Sequence, residues 1–180
     1  MPIFNNHSKL FLLGFIAILI VSCDLSKTDG FEETYTYSFQ KGKQLVVDTT
    51  ARPITEDSTQ TILNVSPQSG TNLVFHYEKR VTPPSNILDG GSISTVYFQL
   101  PSETSTFTFE GEELTNADVY FQRGCFCPII GALEVGNGVI EGQKLSENLW
   151  SVSASLQPEG PRTTYEIKFE GVFTLNTRQD

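Results

Sequence analysis

Positive charge is scarce in this sequence. The chain contains 12 Lys and Arg residues against 21 Asp and Glu residues, which gives a formal charge of −9. Proteins that bind nucleic acid need clusters of Lys and Arg to neutralise phosphates, and polybasic docking on anionic lipid needs similar clusters. The composition therefore argues against a nucleic-acid partner and against membrane attachment through charge.

Long hydrophobic runs are also missing, apart from one short run near the start. Residues 10–21 are almost entirely apolar, Lys9 precedes them, and Ser22 and Cys23 follow. A run of about 12 residues is too short for a transmembrane helix, which needs roughly 20. A positive flank, a short apolar core and a small residue are instead typical of a secretory signal peptide.

The end of this run, Ile20-Val21-Ser22-Cys23, resembles the lipobox of bacterial lipoproteins. The resemblance implies cleavage before Cys23, a thioether-linked diacylglycerol on its sulfur and acyl chains such as palmitate. It implies a protein of the bacterial cell envelope, held in the membrane by lipid and facing the periplasm or the cell surface. Asp24 occupies a sorting position in lipoproteins, but different bacteria use it differently, so the leaflet stays open.

Cleavage would also remove Met1 and His7, which leaves no methionine and only His76 as histidine in the mature chain. Because Lys9 is removed with no acid, the formal charge would change from −9 to −10. We expect three segments: a signal peptide at 1–22, a lipidated cysteine with a flexible tether at 23–34, and one domain at 35–178.

A helical period is absent from the mature chain, which shows alternating apolar and polar residues in short runs. The segment 82–92, with two prolines and two glycines, is predicted to be a loop. Asn137-Gly138, between two apolar runs, predicts a hairpin. Trp150 and the aromatic residues of the last strand are predicted to lie in the core. Gly171, in the middle of that strand, predicts a bulge or close packing against the Trp150 indole. The predicted strands are 35–39, 45–48, 59–65, 72–81, 94–100, 107–109, 117–122, 149–156 and 165–175.

These strands predict an all-β fold, and we favour an antiparallel β-sandwich with Ig-like or Greek-key connections. The alternative is an up-and-down barrel of lipocalin type. The two differ in whether the inward side chains meet across a filled core or line a cavity.

Cys125 and Cys127 form an isolated pair once Cys23 is lipidated. Outside the cytoplasm such a pair can form a disulfide. In an extended strand their α-carbons would be roughly 6.5–7 Å apart, at the outer limit for a disulfide, so a bend is required. The alternative is a pair of thiolates that hold a soft metal such as Cu(I). A redox role is less favoured, because the spacing is C-x-C.

No signature of an enzyme accompanies the remaining polar residues. His76 lies on the polar side of its strand, and there is no G-x-S-x-G motif near a histidine. The acids Asp89, Glu110, Glu112 and Glu113 lie in predicted turns without the spacing of a calcium loop.

The sequence therefore predicts a non-enzymatic envelope or surface module that binds an envelope protein or glycan and needs no cofactor. A copper-handling lipoprotein that uses Cys125 and Cys127 and an envelope hydrolase with loop carboxylates are the alternatives.

Overall fold

The computed structural model describes residues 30–55, 58–87, 89–125, 131–161 and 163–177. Those from Phe31 onward belong to one compact unit. In this part of the chain no helix has the length and hydrophobicity needed to cross a membrane. The elements are β1 (Glu32–Thr55), β2 (Ser58–Thr82), β3 (Ser92–Leu100), β4 (Thr106–Glu110), a 3₁₀ helix (Gly111–Ala117), β5 (Tyr120–Cys125), β6 (Leu133–Glu134), β7 (Gly138–Ser146), β8 (Leu149–Leu156) and β9 (Ile167–Leu175).

The nine strands form one strongly curled sheet, a half-barrel, in the order β4-β7-β8-β9-β1-β2-β3-β5-β6. This confirms the predicted all-β class. Every pairing is antiparallel except β1 with β9, which are parallel over two residue pairs, Ser38 with Thr174 and Phe39 with Leu175. That short parallel contact joins the two halves of the sheet, β4-β7-β8-β9 and β1-β2-β3-β5-β6. A β-sandwich would have two separate sheets, whereas here the halves form one continuous sheet.

The two halves face each other across a filled core whose centre is Phe75 on β2. Its ring stacks on Phe98 of β3 at 4.6 Å between centroids and meets the edge of Trp150 on β8 at 5.4 Å. Since β2 and β8 are separated by two strands in the sheet order, this contact requires the sheet to curl. Side chains of the two halves therefore pack against each other as they do in a sandwich. The prediction that Trp150 lies in the core is confirmed.

The 3₁₀ helix packs against strands from both halves of the sheet. It contacts β4 and β7 on one side and β3 on the other. Leu114 and Ala117 are buried beneath it, and Val119, which follows it, is fully buried. The sequence did not predict this helix, because seven residues with only two of them buried are too few to show a helical period.

β1 and β2 form a single long hairpin, although we predicted four short strands over the same residues. The pairing shifts register between Lys41 and Gln44, opposite Ser69 and Asn72. Gly42 at this point has φ +67°, a left-handed conformation that glycine adopts without strain. The glycine-containing segments 40–44 and 66–71, which separate predicted strands, are thus the two sides of one bulge.

Beyond the bulge, the hairpin folds over the outer face of the half-barrel. We call this part, residues 43–55 and 58–69, the arm. Val65 of the arm is buried against Tyr120 and Ala132, and Tyr97 packs against the same small cluster. The Leu45 N–H donates to the Gln99 side chain at 2.9 Å. The arm thereby has its own apolar contacts, outside the main core.

The hairpin predicted at Asn137-Gly138 is wrong. β6 pairs with β5 and β7 pairs with β8, so the strands on either side of these residues do not pair with each other. Gly138 instead starts β7, where a Cβ would lie 2.3 Å from the carbonyl oxygen of Ser155. Close approach to β8, and not a hairpin turn, accounts for this glycine.

Candidate functional site

The outer face of β7, β8 and β9 has a groove along β8, with polar residues along its centre and the exposed apolar residues Leu149 and Val172 at one end. Its floor consists of half-buried serines, and its walls are longer, exposed side chains of the two neighbouring strands. We call it the serine trough; the floor is Ser151, Ser153 and Ser155, and the walls are Glu141, Gln143, Lys168 and Glu170.

Strand alternation produces this floor. On β8 the even-numbered residues Trp150, Val152, Ala154 and Leu156 are buried in the core, so the intervening serines point to the other face. Small side chains on the central strand leave room between the longer side chains of its two neighbours. The alternation of β8 was visible in the sequence, but the groove depends on which strands pair with it.

The centre of the trough is a row of polar residues in register across four strands. Thr108 on β4 pairs with Glu141, Glu141 pairs with Ser153, and Ser153 pairs with Glu170. The Ser153 hydroxyl donates to a Glu141 carboxylate oxygen at 3.1 Å. With neighbouring strands about 4.8 Å apart, the α-carbons of the two glutamates lie roughly 10 Å apart.

Two depressions open to solvent share Glu141, Ser153 and Glu170 of this row. One, of about 630 Å³, extends toward β4 and includes Thr106, Gln143 and Ser151. The other, of about 490 Å³, extends the opposite way and includes Ser155 and Lys168. Lys168 forms an ion pair with Glu166. The lysine holds the pKa of the Glu166 carboxyl below its ordinary value.

The trough is therefore rich in hydroxyl, amide and carboxylate groups. Glu141 and Glu170 supply hydrogen-bond acceptors, and the serines supply both donors and acceptors. Sequence reasoning missed both glutamates, since they are far apart in the chain and become neighbours of Ser153 only through strand pairing.

His76 lies on the other half of the sheet and does not approach the trough. Its imidazole is half-buried and stacks on the Tyr97 ring at 5.0 Å between centroids. Burial lowers the pKa of His76, while Glu78, 3.9 Å away, acts in the opposite direction. These contacts give the histidine a packing role on the outer face of β2 and β3.

The four acids that lie in predicted turns are all exposed. Asp89 lies between β2 and β3, Glu110 ends β4, and Glu112 and Glu113 lie in the first turn of the 3₁₀ helix. Within the described residues, no group of three or more His, Cys, Asp or Glu side chains could hold a metal ion.

Cys125 is the last residue of β5, half-buried and disulfide-bonded. Cys127 and the lipidation candidate Cys23 lie outside the described residues. The soft-metal alternative would require both thiols of the pair to be reduced. The pairing of Cys125 with Cys127 stays a prediction.

Comparison with known proteins gives no relative: no protein-family model, curated protein or solved structure matches this chain. Function must therefore be argued from the chain itself.

Proposed function

We propose that this protein is a lipid-anchored protein of the bacterial cell envelope that acts by binding, with the serine trough as its binding face. The anchor is supported by residues 9–23, whose positive flank, short apolar core and Ile20-Val21-Ser22-Cys23 ending resemble a lipoprotein signal. Several acyl chains give stable attachment, since each buried CH₂ contributes about 0.8 kcal/mol and one chain alone is marginal.

The observation that carries the binding role is the pair of open depressions that share Glu141, Ser153 and Glu170. Ligand sites are concave and contain a few polar groups that fix orientation. A surface of carboxylates and hydroxyls suits a ligand that offers many hydrogen-bond donors. Among the components of a cell envelope, a glycan has this chemistry.

The experiment measures co-sedimentation of the purified full-length protein with peptidoglycan. Ser153→Tyr should abolish it, because a tyrosine ring would fill the centre of the trough. Ser102→Tyr is the matched control, since Ser102 is an exposed serine in the turn before β4.

The proposal predicts that the parent protein and the control co-sediment and the trough variant does not. Failure of the parent to bind, or equal binding by all three proteins, would contradict the trough as a glycan site.

A further inference from the structure

The arm leaves one edge of β1 unpaired. β1 pairs with β9 only at Ser38 and Phe39, and no described strand pairs with that side of β1 beyond them. From Val47 to Pro53, every side chain of this strand is exposed. A two-stranded ribbon is marginally stable alone, whereas three or more strands support one another.

The direction of the free backbone groups can be read from Leu45. Its N–H donates to Gln99 of β3, so it points away from β2. Because residues of an antiparallel pair alternate, Val47, Thr49 and Ala51 also direct their N–H and C=O groups to the free edge. Pro53 has no N–H and ends this row of donors.

The charges along this edge are self-complementary. If two copies pair antiparallel about Thr50, Asp48 of each copy lies opposite Arg52 of the other. Thr49 then lies opposite Ala51, and those residues have the free backbone groups needed for the ladder. Within the part of the chain that the structure describes, neither Asp48 nor Arg52 forms an ion pair.

We propose that the free edge of β1 in the arm, residues 46–53, is a dimer interface that pairs with the same edge of a second copy. Two arms would form a four-stranded sheet with a two-fold axis at Thr50. This pairing closes on itself, because each copy uses the same edge. The other edge of the arm is already engaged at Leu63, whose carbonyl accepts from the Ala132 N–H at 2.7 Å.

Charge exchange tests this interface in the full-length protein purified in detergent. In the proposed dimer, residue 48 of each copy faces residue 52 of the other. The Asp48→Arg variant therefore has two facing arginines at each of these positions, and the Arg52→Asp variant has two facing aspartates. Because opposed like charges destabilise strand pairing, each single variant should raise the dimer dissociation constant by about tenfold. The double variant exchanges the charges and should restore the parent value. Light scattering across a concentration series measures the constant.

Cross-linking tests the position of the two-fold axis. In the proposed pairing Thr50 meets Thr50 of the second copy at a close, non-hydrogen-bonded position, with α-carbons about 4.5 Å apart. Thr50→Cys should therefore form a disulfide-linked dimer under mild oxidation. Thr61→Cys, at an exposed position on the other strand of the arm, is the control and should not.

A parent protein that stays monomeric would overturn the proposal. A dimer that is unaffected by either single charge variant, or that cross-links equally through both cysteine variants, would place the interface elsewhere and also overturn it.

Discussion

At the scale of single residues, close contacts between glycines and aromatic rings shape the inner face of the sheet. Gly171 on β9 lies beneath the Tyr37 ring, which also meets Phe173 edge-on at 5.4 Å between centroids. Gly142 on β7 lies in the same way beneath Phe107. The sequence indicated close packing at Gly171, but we assigned its partner as Trp150. The actual partner follows from the β1–β9 pairing, which local periodicity does not reveal.

We predict that Gly171→Ala destabilises the fold. The added Cβ would lie 2.6 Å from a Tyr37 ring carbon, so the ring or the strand must shift. Overpacking of this kind costs about 1–3 kcal/mol of unfolding free energy. Chemical denaturation measures the change. Gly136→Ala is the control, since a Cβ there meets nothing within 4 Å. Equal stability of the two variants would show that the Tyr37 contact is unimportant.

At the scale of elements, the sequence identified most strands but not their continuity. β3, β8 and β9 were predicted within a few residues, because each has one apolar face and is bounded by proline or a polar turn. In β1 and β2 the same reasoning left gaps at 40–44 and 66–71, between strands that the structure shows to be continuous. A turn and a bulge use the same residue types, and only pairing with the opposite strand distinguishes them.

The serine trough is an element-scale feature for the same reason. Ser151, Ser153 and Ser155 were recognised as the polar face of a strand. Glu141 and Glu170 flank Ser153 because β7 and β9 pair with β8, and their positions in the sequence contain no signal of this.

We predict that Gln99→Leu loosens the arm without unfolding the core. The Gln99 side chain accepts from the Leu45 N–H and donates to Asp118, so it links the arm to the sheet beneath it. Loss of a hydrogen bond of this kind costs about 0.5–1.5 kcal/mol. Hydrogen exchange followed by mass spectrometry should show faster exchange in the arm and unchanged exchange in β8.

Gln143→Leu, on the exposed face of β7, provides the comparison and should leave the arm unchanged. If exchange rises throughout the sheet in the Gln99 variant, the residue supports the whole fold and not the arm alone.

At the scale of the whole molecule, the sequence was most informative about the fold class. Alternation of apolar residues predicted the all-β fold because it reports burial directly, and the structure confirms that class. The curl of the sheet depends on long-range contacts such as Phe75 with Trp150, which no local pattern encodes. The cell-envelope location rests on residues 9–23, and it stays a proposal.

The central claim, that Cys23 is the lipid anchor, is tested most directly by the intact mass of the protein purified from a bacterial host. We predict a chain that begins at Cys23 and carries a diacylglyceryl group, with a further acyl chain where the host adds one. Cys23→Ser should have neither the cleavage nor the lipid. A parent protein that retains Met1, or that begins elsewhere without lipid, would contradict the account.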